Sequence, residues 1–201
     1  MDFFHTLKFF TADDIRRALP MAEAIEATKE AFRELSARQV VAPPRAHLEI
    51  SEHKTTILIM PSYLPKIERI GLKFITLCAD NAQRGLPLIY ALVLVADART
   101  GTPLAVMDGS CLTALRTGAA SGAATDVLAR KDSRVAAIFG AGIQGRTQLE
   151  AVAAVRPIQE VYIVDLDAER AARFALEMKE RLSLEIKVAG AAEALPRADI
   201  I

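Results

Sequence analysis

Two cysteines, three histidines and no excess of charge of either sign exclude several kinds of chemistry before any motif is considered. Cys78 and Cys111 cannot build a disulfide framework, and His5, His47 and His53 form no Cys/His cluster with zinc spacing, so a reducing setting fits and no metal is expected. Twenty-five Lys and Arg balance twenty-five Asp and Glu. Such a chain has no basic field to neutralise phosphates, which argues against nucleic acid, and no basic helix to mark a membrane surface. The opening Met-Asp-Phe-Phe-His-Thr-Leu-Lys lacks the basic region and apolar run of a secretory signal. The longest apolar run, Leu86 to Ala96, is too short to cross ~30 Å of hydrocarbon. What remains is an expectation of a cytoplasmic protein of small-molecule chemistry. At 201 residues, 52% hydrophobic and 25% charged, it has room for one good core or two small domains.

Periodicity divides the chain in two. Thr11-Ala-Asp-Asp14 reads as a helix start, with a hydroxyl to accept from orphan amides and acids in the first turn, and this short helix should end near Pro20. Apolar spacings of four and three from Met21 to Leu35 predict an amphipathic helix reaching about Arg38. The prolines of 42-APPRAHLEI-50 force an extended path, with Arg45 where the chain re-enters structure. Three β-like runs, Thr55 to Met60, Ile70 to Cys78 and Leu88 to Ala96, are read as separated by Pro61, Pro65, Gly85 and Pro87, and Leu104 to Met107 is a shorter fourth. With little helix between them, the sheet should be antiparallel or mixed. The alanine-rich stretch from Leu112 to Ala129 predicts a long, closely packed helix. Strand, turn, helix, strand and helix then follow in βαβ order. The domain boundary is expected near residue 132, giving domains of 1–132 and 133–201.

The apolar run Arg134 to Phe139 leads straight into Gly140-Ala-Gly142-Ile-Gln-Gly145. In a dinucleotide-binding turn the first glycine makes the tight bend, the second lets backbone amides approach a pyrophosphate, and the third lets the helix pack on its strand. The helix N-terminus then favours the phosphates. The glycine spacing alone is weak, but here a strand precedes it, a helix over 144–155 follows, and Val161 to Val164 forms a second strand ending at Asp165, twenty residues after Gly145. An acid there accepts hydrogen bonds from a ribose diol. A carboxylate repels a 2′-phosphate, and no arginine directly follows in Asp165-Leu-Asp167, so NAD is favoured over NADP; Arg170 is near enough to keep NADP open.

With that turn behind a sheet-rich first half, the block Met107-Asp-Gly-Ser-Cys-Leu-Thr-Ala-Leu-Arg-Thr-Gly-Ala-Ala-Ser121 becomes specific. Together with Pro44-Arg45, Gly71-Leu-Lys73, Asp97 to Pro103 and the glycine turn, it resembles the ornithine cyclodeaminase/μ-crystallin family over essentially the whole chain. The resemblance implies an α/β protein: an α+β substrate and dimerisation domain whose sheets combine across a homodimer, and an NAD(P)-binding Rossmann domain, here incomplete at its C-terminus. It implies hydride exchange at the α-carbon of a small amino or imino acid, as in ornithine cyclodeaminases, alanine dehydrogenases and ketimine reductases. Ornithine cyclodeaminase-like or alanine dehydrogenase-like activity is the leading expectation. The alternatives are a ketimine reductase and a non-catalytic, crystallin-like binding protein.

By the same resemblance, Arg45 and Lys73 match positions that hold the substrate carboxylate, with Lys73 also near the reacting carbon as the catalytic candidate. Arg116 matches a residue at the junction of substrate and cofactor, Ile143 and Gln144 match turn residues on the dinucleotide with Gly140, Gly142 and Gly145, and Asp165 matches the ribose acid. Thr117 is added as a hydroxyl donor. The charges suit these roles, because a carboxylate taken into a site of low dielectric needs fixed cationic donors, and Arg and Lys supply a fork and a point charge. The residues alone leave plainer readings open: a solvent-facing strand lysine at 73, a surface arginine at 45, a snorkelling helix arginine at 116. His47, His53 and Cys111 read as structural. Asp199-Ile-Ile201 begins a further strand, so the chain is expected to be a fragment, with the family's general base beyond Ile201.

Overall fold

The computed structural model describes residues 6–201, which form two compact units: residues 6–19 with 31–113, and residues 20–30 with 114–201. The division falls inside a helix rather than at residue 132, and the division of the chain into domains 1–132 and 133–201 stands as a proposal.

The first unit is built on a six-stranded sheet in the order β1-β6-β5-β4-β3-β2. Its strands are β1 (Lys8–Phe10), β2 (Ala46–Ile50), β3 (Thr55–Leu64), β4 (Arg69–Cys78), β5 (Ile89–Asp97) and β6 (Pro103–Asp108). All neighbours are antiparallel except β1, which runs parallel to β6. Helix α1 (Ala12–Ala18) begins with a reciprocal capping box between Thr11 and Asp14. The Thr11 hydroxyl and amide hold the Asp14 carboxyl down to about 2. Helix α2 (Met21–Ser36) follows.

Pro61 does not end its strand, contrary to the reading of it as a breaker: β3 continues through it to Leu64. The register explains why. Pairing with β2 ends at Ala46 opposite Ile59, so beyond that point β3 lacks its outer neighbour apart from one bridge between Val41 and Tyr63. The Tyr63 amide donates outward to the Val41 carbonyl, and Pro61, two residues earlier, turns its nitrogen the same way, where there is no strand to receive a hydrogen bond.

The second unit holds three parallel strands in the order β7-β8-β9: β7 (Val135–Phe139), β8 (Glu160–Val164) and β9 (Glu185–Val188). Ile200 adds a parallel bridge to Ala136 on the other side of β7. Helices α4 (Ile143–Val155) and α5 (Ala168–Leu182) make the crossovers, and α6 (Ala191–Ala194) follows β9. The core joins Ala136, Ile138, Leu149, Val161, Ile163 and Phe174, all buried. Near-continuous apolar runs such as β7 and Val161–Val164 of β8 are expected of a parallel sheet covered on its faces. This is a Rossmann-type α/β arrangement, whereas the first unit is α+β.

Helix α3 (Gly109–Leu128) starts from Asp108, whose carboxylate accepts from the Cys111 amide at 2.8 Å. Its small residues allow close packing: a Cβ on Gly118 would lie 2.4 Å from the Thr147 carbonyl oxygen, and one on Gly122 would lie 2.6 Å from Ile25 Cδ1. The C-terminal end of α3 is held by Arg156. Its guanidinium donates to the carbonyls of Thr125, Asp126, Ala129 and Arg130 and, at 2.9 Å, to the Asp126 carboxylate. The side chain is 1% exposed, so removing it takes five hydrogen bonds from this end of α3, although Asp126 keeps Lys29 and Lys131 as partners. The variant Arg156→Ala is expected to lose roughly 2–3 kcal/mol of unfolding free energy. Chemical denaturation checks this; an unchanged midpoint would show that the cap contributes nothing.

Candidate functional site

The glycine turn lies between β7 and α4. Gly140 has φ 99°, in the left-handed region that a side chain disfavours, and its amide donates to the Val164 carbonyl at 2.8 Å, tying the start of the turn to the end of β8. Gly142 is the N-cap of α4 and has no side chain with which to cap it, so the first-turn amides are left for another acceptor. A Cβ on Gly142 would meet nothing within 4 Å, whereas one on Gly145 would stand 2.2 Å from the Gly140 carbonyl oxygen. Open space at the second glycine and none at the third is the arrangement a pyrophosphate on a helix N-terminus requires. Ile143 and Gln144, the first residues of α4, are both exposed.

Arg146 was not singled out from sequence, yet it fixes the turn from behind. Its guanidinium donates to the carbonyls of Ala141 at 2.8 Å and Gly142 at 3.0 Å and to the Glu177 carboxylate at 2.9 Å, and it lies 5.1 Å over the Phe174 ring. With the two carbonyls held on that side, the conformation of the turn is set by a side chain one helical turn along.

Asp165 closes the site at the end of β8. One carboxylate oxygen accepts from the Ala141 amide at 2.7 Å and the other from the Asp167 amide at 2.9 Å. Arg170 adds a fork, with Nε and Nη2 donating at 3.2 and 2.6 Å. Arg170, followed by the two backbone amides, holds the Asp165 carboxyl well below the usual carboxylate range. A lowered folded-state pKa means that the stabilisation from this group is fully present above the unfolded value of ~3.9 and is lost only as pH falls through the lower folded value. The acid is therefore ionised at neutral pH.

On α3, Arg116 is exposed, Thr117 is half-buried and Gly118 is packed against Thr147. Burial pushes the Cys111 thiol up and its Sγ lies 3.6 Å from the Ala12 carbonyl oxygen, which suits a packed residue rather than a nucleophile. Among the described residues, no group of three His, Cys, Asp or Glu could hold a metal ion, and no helix is long and apolar enough to cross a membrane.

In the first unit one substrate candidate, Lys73, lies on β4 and the other, Arg45, just before β2. Met60 on β3 is opposite Lys73 on β4, Lys73 is opposite Val93 on β5, and Val93 is opposite Met107 on β6. Arg45 directly precedes β2, whose pairing with β3 ends at Ala46 opposite Ile59. β3 is the single strand between β2 and β4, which puts the start of β2 ~10 Å from β4 at the backbone. Two long cationic side chains can close that span on one carboxylate. The opposite face carries the row Ile59, Phe74 and Leu92, all exposed, so Lys73 stands across the sheet from an uncovered apolar surface.

The family model of the ornithine cyclodeaminase/mu-crystallin family matches residues 6–201. A Delta(1)-pyrroline-2-carboxylate reductase of Bacillus cereus is 38% identical over 192 residues, which are 95% of this chain and 59% of the relative. Among solved structures, the Delta(1)-pyrroline-2-carboxylate reductase of Thermococcus litoralis in complex with NADH and L-proline is 42% identical, with a TM-score of 0.89 over 96% of this chain and 60% of that one. An archaeal alanine dehydrogenase dimer with bound NAD is 36% identical, with a TM-score of 0.85 over 94% of this chain and 57% of that one. The chain thus spans about six-tenths of the length of the proteins it matches.

Proposed function

Because this chain belongs to the ornithine cyclodeaminase/mu-crystallin family, we propose that it is part of an NADH-dependent reductase of a cyclic imino acid, with Δ1-pyrroline-2-carboxylate as the first substrate to test. The observation that carries this is the turn from Gly140 to Gly145, with open space at Gly142 and an ionised Asp165 at the end of the next strand. The substrate class is supported by relatives named for that reaction. It moves the balance from ornithine cyclisation, the leading expectation from sequence, to imine reduction.

The cofactor, when bound, supplies the hydride that saturates the C=N carbon, while a proton completes the amine nitrogen. The chain's own residues do the rest. Gly140, Gly142 and Gly145, with the amides of Ile143 and Gln144, receive the pyrophosphate, and Asp165 receives the ribose diol. NAD(H) is preferred to NADP(H) because an ionised carboxylate repels a 2′-phosphate. Arg116 and Thr117 hold the nucleotide side of the reaction centre. Arg45 and Lys73 bind the substrate carboxylate across β3, and Lys73 sits beside the reacting carbon, where its ammonium stabilises charge that shifts during reduction. The exposed row of Ile59, Phe74 and Leu92 supports a homodimer that covers it.

The test is turnover by the whole protein, following nicotinamide absorbance and product. NADH consumption with Δ1-pyrroline-2-carboxylate is expected to exceed that with pyruvate and ammonia, and to exceed the conversion of ornithine to proline. Faster ornithine cyclisation would return the protein to the cyclodeaminases. Cofactor binding without turnover on any of these would make it a carrier.

A further inference from the structure

Asp165 has no acceptor capacity to spare. Each carboxylate oxygen takes one backbone amide and one arm of Arg170, so the four bonds fill the in-plane positions of the group. Its side chain is only 5% exposed, while Arg170 is half-exposed. The two backbone donors belong to the turn and to the N-cap residue of α5 and cannot leave without rearranging either. The Arg170 guanidinium can leave by side-chain rotation alone. Its location sharpens the point: Arg170 lies in the first turn of α5, where the helix dipole disfavours a cation, and its fork is turned back onto Asp165.

We propose that Arg170 is a specificity-determining gate on the nucleotide site, occupying Asp165 until a ribose diol displaces it. The inference rests on the reading of Asp165 as the ribose acceptor. NADH must then exchange an arginine–carboxylate pair for two hydroxyl–carboxylate bonds, and part of its affinity is spent on that exchange. A 2′-phosphate meets the same guanidinium as a counter-ion, so Arg170 taxes NADH and not NADPH. Its presence narrows the preference that Asp165 creates.

The test is direct titration of NADH and NADPH binding by nicotinamide fluorescence, for the unaltered protein, R170A and R170K. Replacing a half-exposed first-turn residue leaves the core intact, and a thermal melt verifies folding. Removing a pair of this exposure should tighten NADH binding two- to fivefold, roughly the scale of such pairs. NADPH binding should not tighten, and R170K, with charge but no fork, should fall between. NADH binding that is unchanged or weaker in R170A overturns the gate, as does equal tightening of both nucleotides, which would mean simple occlusion. If the unaltered protein binds neither nucleotide, the dinucleotide reading itself fails and the gate with it.

Discussion

Alanine at Gly145 is expected to lose more than tenfold in NADH affinity and roughly 1–3 kcal/mol of stability together, because its Cβ would stand 2.2 Å from the Gly140 carbonyl oxygen and the helix must back away from its strand. Alanine at Gly142 provides the contrast. Its φ of −86° suits any residue and its Cβ would meet nothing, so the fold should keep its stability. The added methyl would instead occupy the space next to the first-turn amides and weaken the nucleotide alone. Thermal melts and fluorescence titrations of both variants separate the two effects. Equal losses of stability would mean that the second glycine serves the fold rather than the ligand.

The second large effect concerns Lys73. In the whole protein, Lys73→Ala should cost about a hundredfold in kcat/KM for the imino acid, about 2.7 kcal/mol of transition-state stabilisation. NADH affinity should hold, because Lys73 lies on the sheet of the first unit and has no part in the glycine turn. If Lys73 only anchors the carboxylate, the loss will appear in KM; if it also stabilises the reacting centre, kcat will fall as well. A variant with unaltered kcat and KM would return Lys73 to the status of an ordinary strand lysine.

The parts of the molecule that were legible in its sequence are those governed by local rules. The βαβ unit from Val135 to Val164 was read to within a residue or two, since apolar runs, glycines and a terminal acid all lie within one stretch of about thirty residues. The helix start at Thr11 and the small-residue helix α3 were equally local. The first three-residue strand, Lys8–Phe10, is too short to leave a pattern, and the course of β3 through Pro61 depends on where a different strand stops. Nor could spacing reveal that β3 alone separates the start of β2, next to Arg45, from Lys73 on β4, which takes the pairing of three strands.

The arginines show the same limit. Arg146 reaches Glu177 on another helix, Arg156 caps a helix that ends 28 residues earlier, and Arg170 appeared in the sequence only as a doubt about NADP. The partners of Arg146 and Arg156 lie about thirty residues away and are fixed by tertiary packing, while Arg170 turns back onto an acid five residues earlier, which its place in the first turn of a helix does not announce. The glycine turn and Asp165 would serve a cyclodeaminase, an alanine dehydrogenase and a cyclic imine reductase alike, so the proposed substrate rests on the relatives.

We propose a nicotinamide dinucleotide site favouring NADH at the turn and Asp165. It is tested most directly by titrating the protein and its Asp165→Asn variant with NADH and NADPH. Saturable binding of NADH, tighter than that of NADPH and weakened about tenfold by the amide, is the predicted result. Clearly tighter NADPH binding, or NADH binding indifferent to the loss of the carboxylate, would contradict it.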